Sequence, residues 1–144
     1  MCLAVLALHM HPRWPLVIAA NRDEFHDRPA LPMHWWQGTS PRVLAGQDLT
    51  AGGTWMGVSD TGRIALLTNV RAPARHRADA PSRGTIVVDW LRSRDSIETE
   101  AQDYRLRGCN PFNLLVADEG GSRWWCIGDE ASRPHALGPG IYGL

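Results

Sequence analysis

The chain begins Met-Cys, and this cysteine has the features of a catalytic nucleophile. Methionine before a residue as small as cysteine is usually removed, which would make Cys2 the first residue. Its thiol would then attack a carbonyl carbon, while its own α-amine, which titrates at about pH 8, would take the thiol proton. A cysteine thiol needs little activation, because its unperturbed pKa is only about 8.5. The opening dipeptide therefore predicts an N-terminal nucleophile.

The polar run Asn21-Arg22-Asp23-Glu24 supplies the neighbours that such a nucleophile needs. Arg22 could lower the pKa of the thiol or bind a carboxylate of the substrate. Asp23 or Glu24 could orient Arg22 or the terminal ammonium. Asn21 or Asn69 could donate a hydrogen bond to an oxyanion. These roles define a candidate catalytic set, which comprises Cys2, Arg22, Asp23 and Asn69.

The same residues also permit a non-catalytic interpretation. The polar run would then be a surface turn, with Arg22 paired to a carboxylate. Cys2 would be an unreactive apolar side chain buried in the first strand. The sequence pattern leaves both interpretations open.

Positioning of the polar run depends on the first two apolar segments, Leu3–His9 and Pro15–Ala20. A short proline-containing connector joins them, which predicts a β-hairpin that returns Asn21 beside the start of the chain. Both segments are apolar almost throughout. Such strands are typical of the middle of a layered domain, so we expect both faces of the hairpin to be covered.

The remaining pattern predicts an α+β fold with antiparallel sheets. Residues Phe25–Ala51 lack periodicity and are predicted to form a long excursion, with one short strand at Arg42–Ala45. The tripeptide Asp60-Thr61-Gly62 predicts a hairpin turn. Two helices are predicted, at Gly84–Arg94 with Ser82 as a candidate N-cap, and at Ser96–Tyr104. A further hairpin is predicted from "FNLLVAD" and "RWWCIG".

Composition narrows the function classes. The 144 residues suit one domain over 1–144, and the zero formal net charge gives no indication of a nucleic-acid partner. All 15 basic residues are arginine, which excludes a Schiff-base or P-loop lysine. Three cysteines without a CxxC spacing argue against a disulfide framework and a zinc site, so a cytoplasmic location is expected. The apolar stretch Leu3–Leu8 is too short for a membrane span.

Aromatic and histidine side chains suggest a second kind of ligand. The adjacent pairs Trp35-Trp36 and Trp124-Trp125 would each direct one ring to either side of a strand. His9 and His11 are expected on one strand face. Histidine or cysteine can ligate haem iron, so haem is a possible ligand, although no cofactor is required by the sequence and the chain has no C-x-x-C-H motif.

Several ordered blocks of the chain resemble the NRDE family, which is also called the transport and Golgi organisation protein 2 family. The blocks are Met1-Cys2, "AANRDE" at Ala19–Glu24, "AGGTWMGVSDTGRIALLTNVR" at Ala51–Arg71, "SRG" at Ser82–Gly84, "FNLLVAD" at Phe112–Asp118 and "GIYGL" at Gly140–Leu144. The resemblance implies a fold similar to N-terminal nucleophile hydrolases, a four-layer αββα sandwich. It also implies that this chain is the N-terminal portion of a longer domain.

A more distant likeness is to cysteine amidases that cleave conjugated bile salts and penicillin V. This likeness implies catalytic positions at Cys2, Arg22 and Asp23, with Glu24 as the rival of Asp23, and an oxyanion position at Asn69. The spacing of the polar run departs from the amidase pattern. Substrate binding is predicted for four residues in the matching blocks, namely Asn21, Glu24, Trp55 and Arg71.

Three functional hypotheses follow. The first is a cysteine amidohydrolase that acts on a linear amide or related acyl bond of a small molecule. The second is a non-catalytic protein that binds or carries haem or a lipid, in keeping with the family's reported links to haem trafficking, lipid metabolism and secretory organisation. The third is a pseudoenzyme that uses the fold as a scaffold.

Overall fold

The computed structural model describes residues 3–128 and 133–144 and has an α+β fold with antiparallel sheets. The strands are β1 Leu3–Leu8, β2 Leu16–Asn21, β3 Ala30–Trp35, β4 Val43–Asp48, β5 Met56–Ser59, β6 Ile64–Asn69, β7 Phe112–Ala117, β8 Trp124–Ile127, β9 His135–Leu137 and β10 Gly140–Gly143. The helices are α1 Gly84–Arg92 and α2 Ile97–Leu106, with short 3₁₀ turns at Pro73–Arg75 and Glu119–Gly121. The predicted fold class is confirmed.

The small sheet has the strand order β10-β1-β2. Strands β1 and β2 form the predicted hairpin, in which Leu3 pairs with Asn21 and Leu8 pairs with Leu16. His9 adopts a positive φ of 53° and ends the first strand. His9 and His11 therefore lie in the exposed connector, and the expectation that they share a strand face is wrong.

The large sheet has the order β3-β4-β5-β6-β7-β8-β9. The predicted hairpins β5–β6 and β7–β8 are both present, and Gly62 takes the positive φ of 87° that the first of these turns requires. The short strand predicted at Arg42–Ala45 is present as β4, but the predicted excursion at Phe25–Ala51 is wrong in part, because it also contains β3, which pairs with β4. Pro32 obscured β3, but β3 is an edge strand, where a missing N–H is tolerated.

Alternation along the central strands divides the core into two layers. On β6, Ala65 and Leu67 pack against the helices, whereas Leu66 packs against the small sheet. The neighbouring strand β7 alternates in register, with Leu114 facing the helices and Leu115 facing the small sheet. The described elements therefore form three layers: helices, large sheet and small sheet.

The outer face of the small sheet is open among the described residues. Leu6 of β1 is buried against the large sheet, but Leu3 and Val5 are 58% and 40% exposed, and Ile141 on the neighbouring strand is 68% exposed. The prediction that both faces of the first hairpin are covered is wrong for the described part of the chain. Continuous apolarity indicated burial on two sides, but the described elements cover only the side that meets the large sheet.

The two predicted helices are confirmed, with one change of cap. Helix α1 begins after Arg83, not Ser82, although the Ser82 hydroxyl still accepts a hydrogen bond from the Gly84 N–H at 3.3 Å. Helix α2 begins after Ser96, whose hydroxyl accepts from the Thr99 N–H at 3.4 Å. Among the described residues, neither helix is long and apolar enough to cross a bilayer.

The tryptophan pairs divide between environments as expected. Trp124 is buried between the two sheets, whereas Trp125 packs against the core beneath the helices. Trp36 also packs against that core, and Trp35 is 43% exposed.

Candidate functional site

The start of β1 and the end of β2 meet at one end of the small sheet. Leu3 and Asn21 are paired there, so the run Asn21–Glu24 leaves the sheet beside the first described residue. Cys2, the predicted nucleophile, lies outside the described residues. In the sequence it directly precedes Leu3. The hairpin thus brings the polar run beside the residue that follows the predicted nucleophile.

Asp23 accepts a hydrogen bond from a neighbour in the polar run. The Asn21 amide donates a hydrogen bond to Asp23 Oδ1 at 2.6 Å. Hydrogen bonding from the amino terminus of the chain, with a smaller contribution from Asn21, holds the pKa of the Asp23 carboxyl below its ordinary value despite the opposing effect of desolvation. Asp23 is therefore a carboxylate at neutral pH.

Arg22 and Glu24 form an ion pair, with Arg22 Nη2 3.3 Å from Glu24 Oε2. A second carboxylate, Asp48, lies 3.9 Å from the same nitrogen. Arg22 is therefore positioned by two acidic side chains, both less than a third exposed. This network agrees with the predicted role of the run as a positioned cluster, and equally with an ion-paired turn.

Asp48 and Arg28 belong to this cluster but were missed by the sequence analysis. Arg28 donates from Nε to Asp48 Oδ2 at 2.9 Å, and its Nη2 lies 2.7 Å from the same oxygen in an ion pair. Burial of Asp48 opposes ionisation, but hydrogen bonds from Arg28 and from the N–H groups of Thr50 and Ala51 outweigh it, so the pKa of Asp48 is lowered. The only local sequence feature that indicated a structural role for Asp48 was its place before Thr50 in a polar turn. The pairing with Arg28 is non-local.

Two adjoining clefts open beside this cluster. The smaller cleft, of about 360 Å³, is lined by Arg22, Asp23, Glu24, Trp55 and Asn69, together with both Arg28 and Asp48. Gly53 and Gly84 also line it, where the β4–β5 connection meets the start of α1. Three of the four predicted catalytic residues and two of the predicted substrate-binding residues therefore converge here.

The larger cleft has a volume of about 450 Å³ and contains Arg71, another predicted substrate-binding residue. It shares Asp23 and Asn69 with the smaller cleft, as well as Arg83 and Asn110. Asn21 is not among the lining residues of either cleft. Its amide donates a hydrogen bond to Asp23, which lines both. The clefts are therefore two lobes that meet at Asp23 and Asn69.

Asn69 ends β6 at the junction of the lobes. Its backbone pairs with Phe112 of β7, and the residue is exposed. An amide placed on a strand end can donate to a developing oxyanion without moving the backbone. Trp55 precedes the neighbouring strand β5, and its carbonyl accepts from the Leu67 N–H at 2.8 Å. Antiparallel pairing of β5 and β6 thus fixes two of the predicted residues.

Other reactive side chains lie apart from the clefts or on their rim. Burial raises the thiol pKa of both Cys109 and Cys126, and nearby arginines, Arg107 first among them, oppose this at Cys109. Of the histidines, His76 lines the larger cleft. Within residues 3–128 and 133–144, no group of three or more histidine, cysteine or acidic side chains has an arrangement that could hold a metal ion.

The fold and cleft define an antiparallel α+β protein with a polar site at the ends of β2 and β6. Comparison with known proteins gives the family. The model of the Transport and Golgi organisation 2 family matches residues 1–144, and the chain belongs to this family.

Named relatives agree with this assignment. The chain is 40% identical over 141 residues to the cattle Transport and Golgi organization protein 2 homolog and 38% identical over 143 residues to the mouse homolog. It is 31% identical over 127 residues to the Drosophila melanogaster Transport and Golgi organization protein 2. The cattle and mouse alignments cover 90% of this chain and 49% of each relative, so the chain spans about half the length of those relatives.

Proposed function

We propose that this chain carries the nucleophile-bearing part of a cysteine amidohydrolase that cleaves a linear amide or related acyl bond. The observation that supports this most is the convergence of Arg22, Asp23 and Asn69 on one cleft, at the end of the small sheet where β1 begins. A nucleophile joined to Leu3 needs a base, an orienting carboxylate and an oxyanion donor. The α-amine of Cys2, Asp23 and Asn69 have these chemical properties.

The proposed reaction proceeds in two steps. The Cys2 thiolate attacks the carbonyl carbon, and the α-amine passes the thiol proton to the leaving amine as the C–N bond breaks, which leaves a thioester. Water then attacks the thioester, releases the carboxylic acid and restores the thiol. Asn69 donates to the oxyanion in both steps, Asp23 orients the terminal ammonium, and Arg22 contacts the substrate.

The layer order is consistent with the finer fold proposal, an N-terminal nucleophile hydrolase. Helices, a large sheet and a small sheet in that order match three consecutive layers of an αββα sandwich. The catalytic end of such a sandwich would lie at the start of β1, beside the polar run whose Asp23 lines both cleft lobes.

The test is alkylation with iodoacetamide as a function of pH, followed residue by residue by mass spectrometry. We expect Met1 to be absent and Cys2 to react well below pH 8.5, faster than Cys109 and Cys126. These two thiols are internal controls, because burial raises their pKa. A retained Met1, or a Cys2 that reacts no faster than the controls, would contradict the proposal.

A second candidate, non-catalytic haem binding, is favoured by one observation. His76 lines the larger cleft beside the apolar side chains Val70, Pro73 and Pro111. The Soret band of added haem should then shift on binding to the protein. His76→Ala should abolish this shift, whereas the control His11→Ala, at an exposed position, should not. An unchanged shift in His76→Ala would contradict haem binding at this cleft.

A further inference from the structure

We propose that the larger cleft binds a carboxylate group of the substrate through Arg71, so that the substrate is a small amide with a carboxylate a few bonds from the scissile carbonyl. This inference names the substrate class of the proposed hydrolase and rests on that function. It comes from the unequal charge of the two lobes, from the position of Arg71 and from the apolar wall around it.

The two lobes differ in charge. In the smaller lobe the three arginines, Arg22, Arg28 and Arg83, are matched by three carboxylates, Asp23, Glu24 and Asp48. Arg28 and Asp48 are bonded to each other, as are Arg22 and Glu24. In the larger lobe two arginines, Arg71 and Arg83, face one carboxylate, Asp23. Among its lining side chains the larger lobe therefore has more positive than negative charge, which favours an anionic ligand.

Arg71 is the residue that can reach a ligand. It is exposed on the rim of the larger lobe, and no carboxylate of the described residues lies within 4.0 Å of its guanidinium nitrogens. Arg83 has a structural contact, a hydrogen bond of 2.9 Å from Nη1 to the Pro111 carbonyl. A guanidinium presents paired N–H donors that match the two oxygens of a carboxylate.

The distance from the proposed oxyanion donor limits the substrate. Asn69 and Arg71 are two residues apart, so their Cα atoms are at most about 7 Å apart. Both residues line the larger lobe, so one small molecule can place a carbonyl at Asn69 and a carboxylate at Arg71. Val70, Ala72, Pro73 and Pro111 give the lobe an apolar wall, which suits an alkyl or aryl body between the two polar groups.

The test uses a matched pair of ligands and the Cys2→Ala variant, which cannot turn them over. The ligands are glutaric acid monoanilide, which has an amide and a carboxylate, and its methyl ester, which has no charge. Titration calorimetry should show binding of the acid that is about tenfold tighter than binding of the ester, and Arg71→Gln should remove this preference. Arg75→Gln, in the same loop but outside the lining of both clefts, should leave it intact.

Several results would overturn the proposal. Equal affinity for acid and ester, no binding of either, or an acid preference that survives Arg71→Gln would each do so. Displacement of the acid by an equal concentration of inorganic phosphate would assign the lobe to phosphate instead. The outcome is separable from the alkylation test: a reactive Cys2 without acid preference overturns only the carboxylate site, whereas acid preference with an inert Cys2 overturns only the hydrolase.

Discussion

Asn110 and Arg77 exchange two hydrogen bonds and thereby join two loops across the cleft. The Arg77 N–H donates to Asn110 Oδ1 at 2.8 Å, and Asn110 Nδ2 donates to the Arg77 carbonyl at 2.8 Å. Arg77 Nη2 also donates to the Gly108 carbonyl at 2.6 Å. Asn110 lines both lobes, and the loop that contains Arg77 supplies much of their wall. The Asn110 side chain therefore holds the loop that contains Arg77 beside the two lobes.

Replacing Asn110 with alanine should release this loop. Two hydrogen bonds are lost, so the free energy of unfolding should fall by about 1–2 kcal/mol. Trypsin should cut the native protein more quickly after Arg71, Arg75 and Arg77, which limited proteolysis with mass spectrometry would show. Gln102→Ala, which removes an exposed amide on α2, is the control. Equal cleavage rates in the two variants would contradict the role assigned to Asn110.

Gly53→Ala should disturb the smaller lobe directly. A Cβ on Gly53 would lie 2.5 Å from the Gly84 carbonyl carbon, so the start of α1 and the β4–β5 connection would have to separate. We expect a loss of about 1–3 kcal/mol in unfolding free energy, measured by urea denaturation. Gly138→Ala is the matched control, because nothing lies within 4 Å of its Cβ. The contact has no energetic importance if both variants are equally stable.

Asp48→Asn should destabilise the protein in a pH-dependent way. The pKa of Asp48 is lower in the folded protein than its ordinary value, so its stabilising effect is present above an unfolded pKa of about 3.9 and disappears as pH falls through the folded pKa. The variant should be about 1–2 kcal/mol less stable at pH 7, with a smaller difference from the parent at pH 3.

Urea denaturation at both pH values measures the effect of Asp48→Asn. Asp27→Asn, an exposed change in the same region, should alter stability little at either pH. A loss that is equally large at pH 3 and pH 7 would show that the effect comes from packing and not from the Asp48 charge.

Arg63→Lys should be costly although it conserves charge. Arg63 is 5% exposed, its guanidinium lies 4.4 Å from the centroid of the Trp90 ring, and Nη2 donates to the Asp95 carbonyl at 2.8 Å. Lysine has neither the plane that stacks on the ring nor the paired donors. We expect a loss of about 2 kcal/mol in thermal or urea denaturation. Arg94→Lys, at an exposed position, should be neutral, and equal stability of both variants would refute this account.

Local patterns predicted most of the elements. The hairpins β1–β2, β5–β6 and β7–β8 follow from apolar runs around turn residues, and helix α2 begins directly after Ser96, the residue at which the helix was predicted to start. The strand β3 was missed because Pro32 disrupts its pattern, although it pairs with β4, the next strand in the chain. The open outer face of β1 was also missed. An apolar sequence predicts that both faces of a strand are buried, but whether they are buried depends on which other layers pack against the strand.

For the candidate site, the sequence by itself determined the reactive groups: a cysteine after the initiator methionine, the run Asn21–Glu24, and Asn69 and Arg71 at a strand end. Their residue types and local spacing carry that information. Only the tertiary structure decided that Asp23 and Asn69 share a cleft, that Asp48 binds Arg28, and that Asn110 fastens the loop above them. These contacts join residues on different strands and loops, and the pairing of whole sheets, not any local pattern, sets the distances between them.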